Sequence, residues 1–108
     1  MWIATTQGFY SVVEDRADPD RLLVRARTAG DIEALRGQIP SLEPFEDPGA
    51  DYRHRALVRR EQWIAALALL AADIDYDNFK NAVAERQDHE RAGIYAGVWS
   101  ALLTLQRG

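Results

Sequence analysis

The sequence contains no cysteine, which excludes disulfides, thiolate metal sites and a cysteine nucleophile. Of its 13 basic residues only Lys80 is a lysine, so nearly all the positive charge is planar, permanently ionised guanidinium. It has only two histidines, His54 and His89. The longest apolar run, Ile64 to Ala72, is about half of the ~20 residues that a membrane-spanning helix needs. The opening stretch carries no positive side chain before Arg16, so it is not a secretory signal, and a cytoplasmic location without membrane attachment is expected. The glycines are scattered. They form neither a nucleophile elbow nor a phosphate-cradling loop. Without such motifs the reading leans away from an enzyme, and no cofactor is expected.

What is present is an ordinary globular balance: 108 residues, 47% apolar and 28% charged. This suits one α+β domain covering residues 1–108. The net charge of −4 argues against a general polyanion binder, because non-specific phosphate affinity needs a positive field.

Three strands and four helices follow from periodicity. Trp2 to Val13 is rich in residues that suit a pleated surface. Gly8 interrupts it and signals a bulge or a close backbone approach. Asp18-Pro19-Asp20 reads as a turn. Leu22 to Thr28 alternates, with Leu22, Val24 and Ala26 on one face and Leu23, Arg25 and Arg27 on the other. Asp31 to Gln38 is a short helix with Thr28 and Asp31 at capping-box spacing, stopped by Pro40. Residues 41–51 form a loop. In a third strand, Tyr52 to Val58, the residues Tyr52, His54, Ala56 and Val58 share one face and Arg53, Arg55 and Leu57 the other.

Helices fill the remainder. Glu61 to Ile74 is apolar on nearly all sides, the mark of a helix buried all round. Asp77 is placed to cap a third helix running to about Gln87. A fourth, His89 to about Leu105, carries the stripe Tyr95, Val98, Leu102 and Leu105, widened by Trp99. The order ββαβ followed by three helices predicts a three-stranded antiparallel sheet of order 2-1-3, its central strand the first, with the helices packed on one face.

Several constellations invite a chemical reading. Asp73-Ile74-Asp75-Tyr76-Asp77-Asn78 begins like a calcium loop, but it lacks the glycine at position six and the glutamate at position twelve. His89-Glu90 begins like a zinc helix, but residue 93 is Gly. No metal site is assigned. Gly93, Gly97, Ser100 and Thr104 recur along one side of the last helix, which suits either close helix packing or plain exposure. The most informative set is Arg25, Arg27, Arg53 and Arg55, which alternation places on one sheet face. Either Tyr10 and Val12 or Phe9 and Ser11 join them from the middle strand, and Tyr10 is the tentative fifth member of an anion- or partner-binding face. The alternative is a solvated face of loose ion pairs.

The opening Met1-Trp2…Thr6-Gln7-Gly8-Phe9-Tyr10-Ser11-Val12-Val13 resembles that of a group of small uncharacterised bacterial proteins. So do Val24-Arg25-Ala26-Arg27, Asp73-Ile74-Asp75-Tyr76 with Asn78-Phe79-Lys80, and Arg86-Gln87 followed by Tyr95 and Val98-Trp99. The resemblance implies a bacterial, cytoplasmic, complete single-domain protein. It brings no activity and no catalytic residues.

The function expected is therefore a non-enzymatic binding or protein-interaction module that self-associates, as a homodimer in the simplest case. Its other partner would be a protein or an anionic ligand. One alternative is a small enzyme or nucleotide-handling protein using the arginine face or the region of His89. Another, less favoured on net charge, is a single-stranded nucleic-acid binder on the open sheet.

Overall fold

The computed structural model describes residues 1–107. The chain forms two compact units, Met1–Ile74 and Asp75–Gly108. The α+β class expected from periodicity holds, with four α-helices and an antiparallel sheet of five strands among the described residues.

The sheet belongs to the first unit. Its strands are β1 (Trp2–Ala4), β2 (Phe9–Asp15), β3 (Asp18–Ala26), β4 (Phe45–Glu46) and β5 (His54–Arg59), in the order β1-β2-β3-β5-β4. The expected order 2-1-3 is thus overturned, and its cause lies at Gly8. Residues 5–8 form a turn held by Thr5, whose Oγ accepts from Gly8 N at 3.0 Å and donates to Gly8 O at 2.8 Å. The first segment therefore folds back on itself as two strands, with Trp2 opposite Ser11 and Ala4 opposite Phe9. β1 occupies one edge of β2 and β3 the other, so β5 pairs antiparallel with the free edge of β3. The central strand is β3.

Two further expectations need correction. The hairpin turn is Arg16-Ala17, with Asp15 opposite Asp18, rather than Asp18-Pro19-Asp20. The 41–51 loop contains β4, which pairs with β5.

Side-chain alternation divides the sheet into two faces. On the inner face Tyr10, Val12, Leu22, Val24, Ala26, Ala56 and Val58 are buried. They meet Ile32 of α1 (Ala29–Ala34), Leu35 of the following 3-10 turn, and Trp63 and Ala66 of α2 (Arg60–Ala72). Thr28 caps α1, its Oγ accepting from Asp31 N at 3.1 Å. The carboxylate of Asp31 accepts from Phe9 N at 3.0 Å, so the start of α1 and the start of β2 are tied together. Gly8 lies against this junction, where a Cβ would stand 2.8 Å from Asp31 Cγ and 2.9 Å from the Tyr10 hydroxyl. The close-approach reading of Gly8 is the correct one.

The helix α2 is not buried all round. Trp63 and Ala66 are buried and Leu67 packs against the core, while Ile64 and Leu69 are exposed. One stripe of the helix faces the sheet, and its first turn is tied to the chain by Arg60, which bonds Glu14, and by Gln62, which accepts from Arg59 N.

In the second unit α3 (Phe79–Arg86) packs on α4 (His89–Arg107). Ala82, Val83 and Tyr95 are buried, and the Phe79 and Tyr95 rings stack with centroids 5.6 Å apart. Asn78, not Asp77, caps α3, its side chain accepting from Asn81 N at 3.0 Å. The expected core stripe of α4 is buried only at Tyr95, whereas Val98, Trp99, Leu102 and Leu105 are exposed. Length explains this. With 8 residues against 19, α3 spans roughly 12 Å beside roughly 28 Å of α4, so α3 is too short to cover the whole of α4; Lys80 of α3 still reaches the Trp99 ring, its Nζ 5.4 Å from the centroid. The small residues of α4 line no packed groove, since a Cβ at Gly93 or Gly97 would meet nothing within 4 Å.

Candidate binding face

The outer face of the sheet carries the arginine set. Register places Trp2, Ser11, Arg25, Arg55 and Phe45 in one row across all five strands. The next row along the strands is Val13, Leu23 and Leu57, and beyond it Arg21 stands opposite Arg59.

Arg25 and Arg55 are therefore direct cross-strand neighbours. They do not stand about 10 Å apart across a middle strand, as the order 2-1-3 implied, but on adjacent strands roughly 5 Å apart. Two like charges directly opposed in a sheet repel one another, and the surrounding groups hold them in place. Arg25 Nη2 donates to Ser11 Oγ at 2.7 Å. Arg55 Nε donates to the Tyr52 carbonyl at 2.9 Å. Arg27 Nη1 donates to the Asp51 carbonyl at 2.8 Å. The guanidinium carbons of Arg25 and Arg27 lie 5.0 and 4.1 Å from the centroid of the Tyr52 ring, within cation–π range.

Alternation puts Tyr52 on one strand face with His54, Ala56 and Val58. The residue lies instead in the turn before β5, where strand alternation does not apply, and its buried ring lies beneath the arginines. The aromatic residue of this site is thus Tyr52. Tyr10 is on the inner face, fully buried, with its hydroxyl donating to Asp31 O at 2.8 Å and its ring edge-on to Trp63. The turn at residues 5–8 sets this parity, bringing Phe9 and Ser11 to the outer face.

Carboxylates are unevenly shared among these arginines. Arg21 pairs with Asp15 at 2.7 Å and Arg59 with Glu61 at 2.9 Å. Arg53 lies 3.6 Å from Glu46, and Arg55 only 3.9 Å from Asp51. Among the described residues Arg25 and Arg27 form no ion pair with a carboxylate. The hydrogen bond from Arg21 holds the Asp15 carboxyl below its ordinary value of 3.8.

Of the four arginines expected on one face, Arg25 and Arg55 stand directly opposite one another in the register, while Arg27 and Arg53 lie just outside β3 and β5. Sequence reasoning missed Trp2, Phe45 and the Val13–Leu23–Leu57 row. The row was visible as leucine sharing the arginine face at positions 23 and 57. Phe45 gave no signal, because it belongs to a two-residue strand inside an apparent loop.

The other constellations are structural in their contacts. Asp75 bonds to Arg86, and Asn78 caps α3. Among the described residues no three His, Cys, Asp or Glu side chains stand together to hold a metal, and no helix is long and apolar enough to cross a membrane. No protein-family model matches the chain, and neither a curated protein nor a solved structure matches it.

Proposed function

We propose that the protein is a binding module whose working surface is the outer face of the sheet, with an anionic group of the partner received at Arg25, Arg27 and Arg55. One observation carries this reading. Three guanidiniums are gathered around Tyr52, two of them from residues directly opposed on neighbouring strands, and among the described residues Arg25 and Arg27 form no ion pair with a carboxylate. Such an arrangement disfavours the free protein and favours a complex. An incoming carboxylate or phosphate relieves the repulsion and accepts charge-assisted hydrogen bonds from donors already fixed in place.

Titration calorimetry with tripolyphosphate, a compact polyanion, tests the site. Wild type should bind, and more weakly as salt rises. The Arg25→Gln/Arg27→Gln/Arg53→Gln/Arg55→Gln variant, verified as folded by circular dichroism, should bind about ten-fold more weakly or worse. Equal binding by the two proteins removes the face from consideration.

A second reading, self-association, is favoured by α4. From Ala92 to Gln106 that helix has no charged residue, and Trp99, Leu102 and Leu105 are 58%, 58% and 78% exposed. A contiguous apolar surface of this kind marks an interaction site on a water-soluble protein. A second copy of the same helix is the simplest self-complementary cover.

A further inference from the structure

We infer that the partner received on the outer sheet face is a protein segment, an acidic amphipathic helix. The inference rests on the reading of that face as the binding surface and adds the class of what it binds. Its basis is the layout of the rows. Between the Arg25–Arg55 pair and the Arg21–Arg59 pair runs the aliphatic row Val13, Leu23 and Leu57, of which Val13 and Leu57 are 38% and 39% exposed. Successive same-face positions along a strand are roughly 6–7 Å apart, so the two cationic rows stand about 13 Å apart with the aliphatic row midway. That gap matches an α-helix, which is roughly 10–12 Å wide with its side chains. A helix lying across the strands along this row would bury an apolar stripe on it. Carboxylates flanking the stripe would then reach the arginines on both sides. Arg21 and Arg59 each hold a carboxylate of the chain itself at hydrogen-bond distance, so a partner carboxylate on that side would exchange with Asp15 or Glu61, whereas Arg25 and Arg27 would receive one directly.

The same layout disfavours a nucleic acid. Bases are held on open sheets by stacking on rings. Here the exposed rings of the face, Trp2 and Phe45, lie on its two outermost strands, the half-buried Phe9 ring packs edge-on against Trp2, the Tyr52 ring is covered by Arg25 and Arg27, and the row between the two cationic pairs is aliphatic. The chain as a whole is also negative, at −4, which opposes a long polyanion more than a short acidic segment.

The test is fluorescence anisotropy with a labelled helical peptide bearing a leucine stripe flanked by glutamates. Parallel arms use oligouridine and vesicles of phosphatidylglycerol in phosphatidylcholine. The peptide should bind the full chain. Affinity should fall about ten-fold or more in Arg25→Gln/Arg27→Gln and in Leu57→Glu, which sets a like charge against the peptide. Peptides with Gln for Glu, or Ser for Leu, should weaken to a similar degree. Leu57 and Arg27 are exposed, and unchanged amide spectra with the milder Leu57→Gln secure the comparison against misfolding. Oligouridine or vesicle binding that is lost in the arginine variant, without peptide binding, overturns the partner class and leaves the face standing. Peptide binding indifferent to all three variants places the peptide elsewhere and overturns the inference. If no probe responds to the substitutions, the reading of the face falls as well.

Discussion

A methyl group at Gly8 would stand 2.8 Å from Asp31 Cγ and 2.9 Å from the Tyr10 hydroxyl. Both atoms belong to the buried junction that fixes which residues of β2 face outward. Gly8→Ala should therefore cost about 1–3 kcal/mol through overpacking, read as a lower midpoint in urea unfolding. An unchanged midpoint would mean that the junction yields freely. Asp15 offers a pH-dependent test. Its folded value is held below the ordinary 3.8 by the Arg21 hydrogen bond. A depressed carboxylate stabilises the fold above its unfolded value, and that contribution is lost as pH falls through the folded one. Arg21→Gln should bring the Asp15 titration, followed by carboxyl carbon resonances, back up towards 3.8. A titration that does not move would show that Arg21 is not the cause. At this scale the sequence was legible wherever alternation operates, as at Arg25 and Arg55. It failed at Tyr52, whose place in a turn under two guanidiniums comes from tertiary packing and leaves no periodic trace.

Helices were more legible than strand neighbours. Each helix arises from contacts a few residues apart, so its span shows in the period of its own apolar residues. Strand order depends on which edges are free when the pieces meet, and here a turn at Thr5–Gly8 divided one apparent strand into two. The absence of cysteine makes the resulting order directly testable. Directly opposed residues have Cα atoms roughly 4.5–5.5 Å apart, within the span of a disulfide. Leu23→Cys/Leu57→Cys should oxidise rapidly within one chain, whereas Val13→Cys/Leu57→Cys, separated by β3, should not. The reverse outcome would restore the order 2-1-3. Amide exchange provides a second test at this scale. β3, paired on both sides, should be among the most protected segments. The part of α4 beyond the reach of α3 should exchange markedly faster than its first half in dilute protein. Uniform protection along α4 at every concentration would contradict the packing of the second unit.

On the scale of the whole molecule, charge and apolar surface are both unevenly distributed. A chain with a net charge of −4 sets Arg21, Arg25, Arg55 and Arg59 in two opposed pairs on one side of one sheet, and it leaves the second half of α4 without a charged residue before Arg107. If α4 mediates self-association, light scattering should report a mass that rises with concentration in wild type and stays monomeric in Leu102→Glu. Monomeric wild type at all concentrations would count against that reading. That Arg25 and Arg55 each share a strand face with a leucine could be read from alternation alone. The pairing of those arginines, their Tyr52 base and the row of aliphatic neighbours emerged only with strand order, because each comes from a different stretch of chain. The central claim is that Arg25 and Arg27 are held ready for an anion. Their side-chain Nε–H resonances, followed during a tripolyphosphate titration, test it most directly. They should shift first and saturate together, ahead of Arg21, Arg36 and Arg59, which already hold carboxylates. Shifts spread evenly over all the arginines, or Arg25 and Arg27 unmoved at saturation, would contradict it.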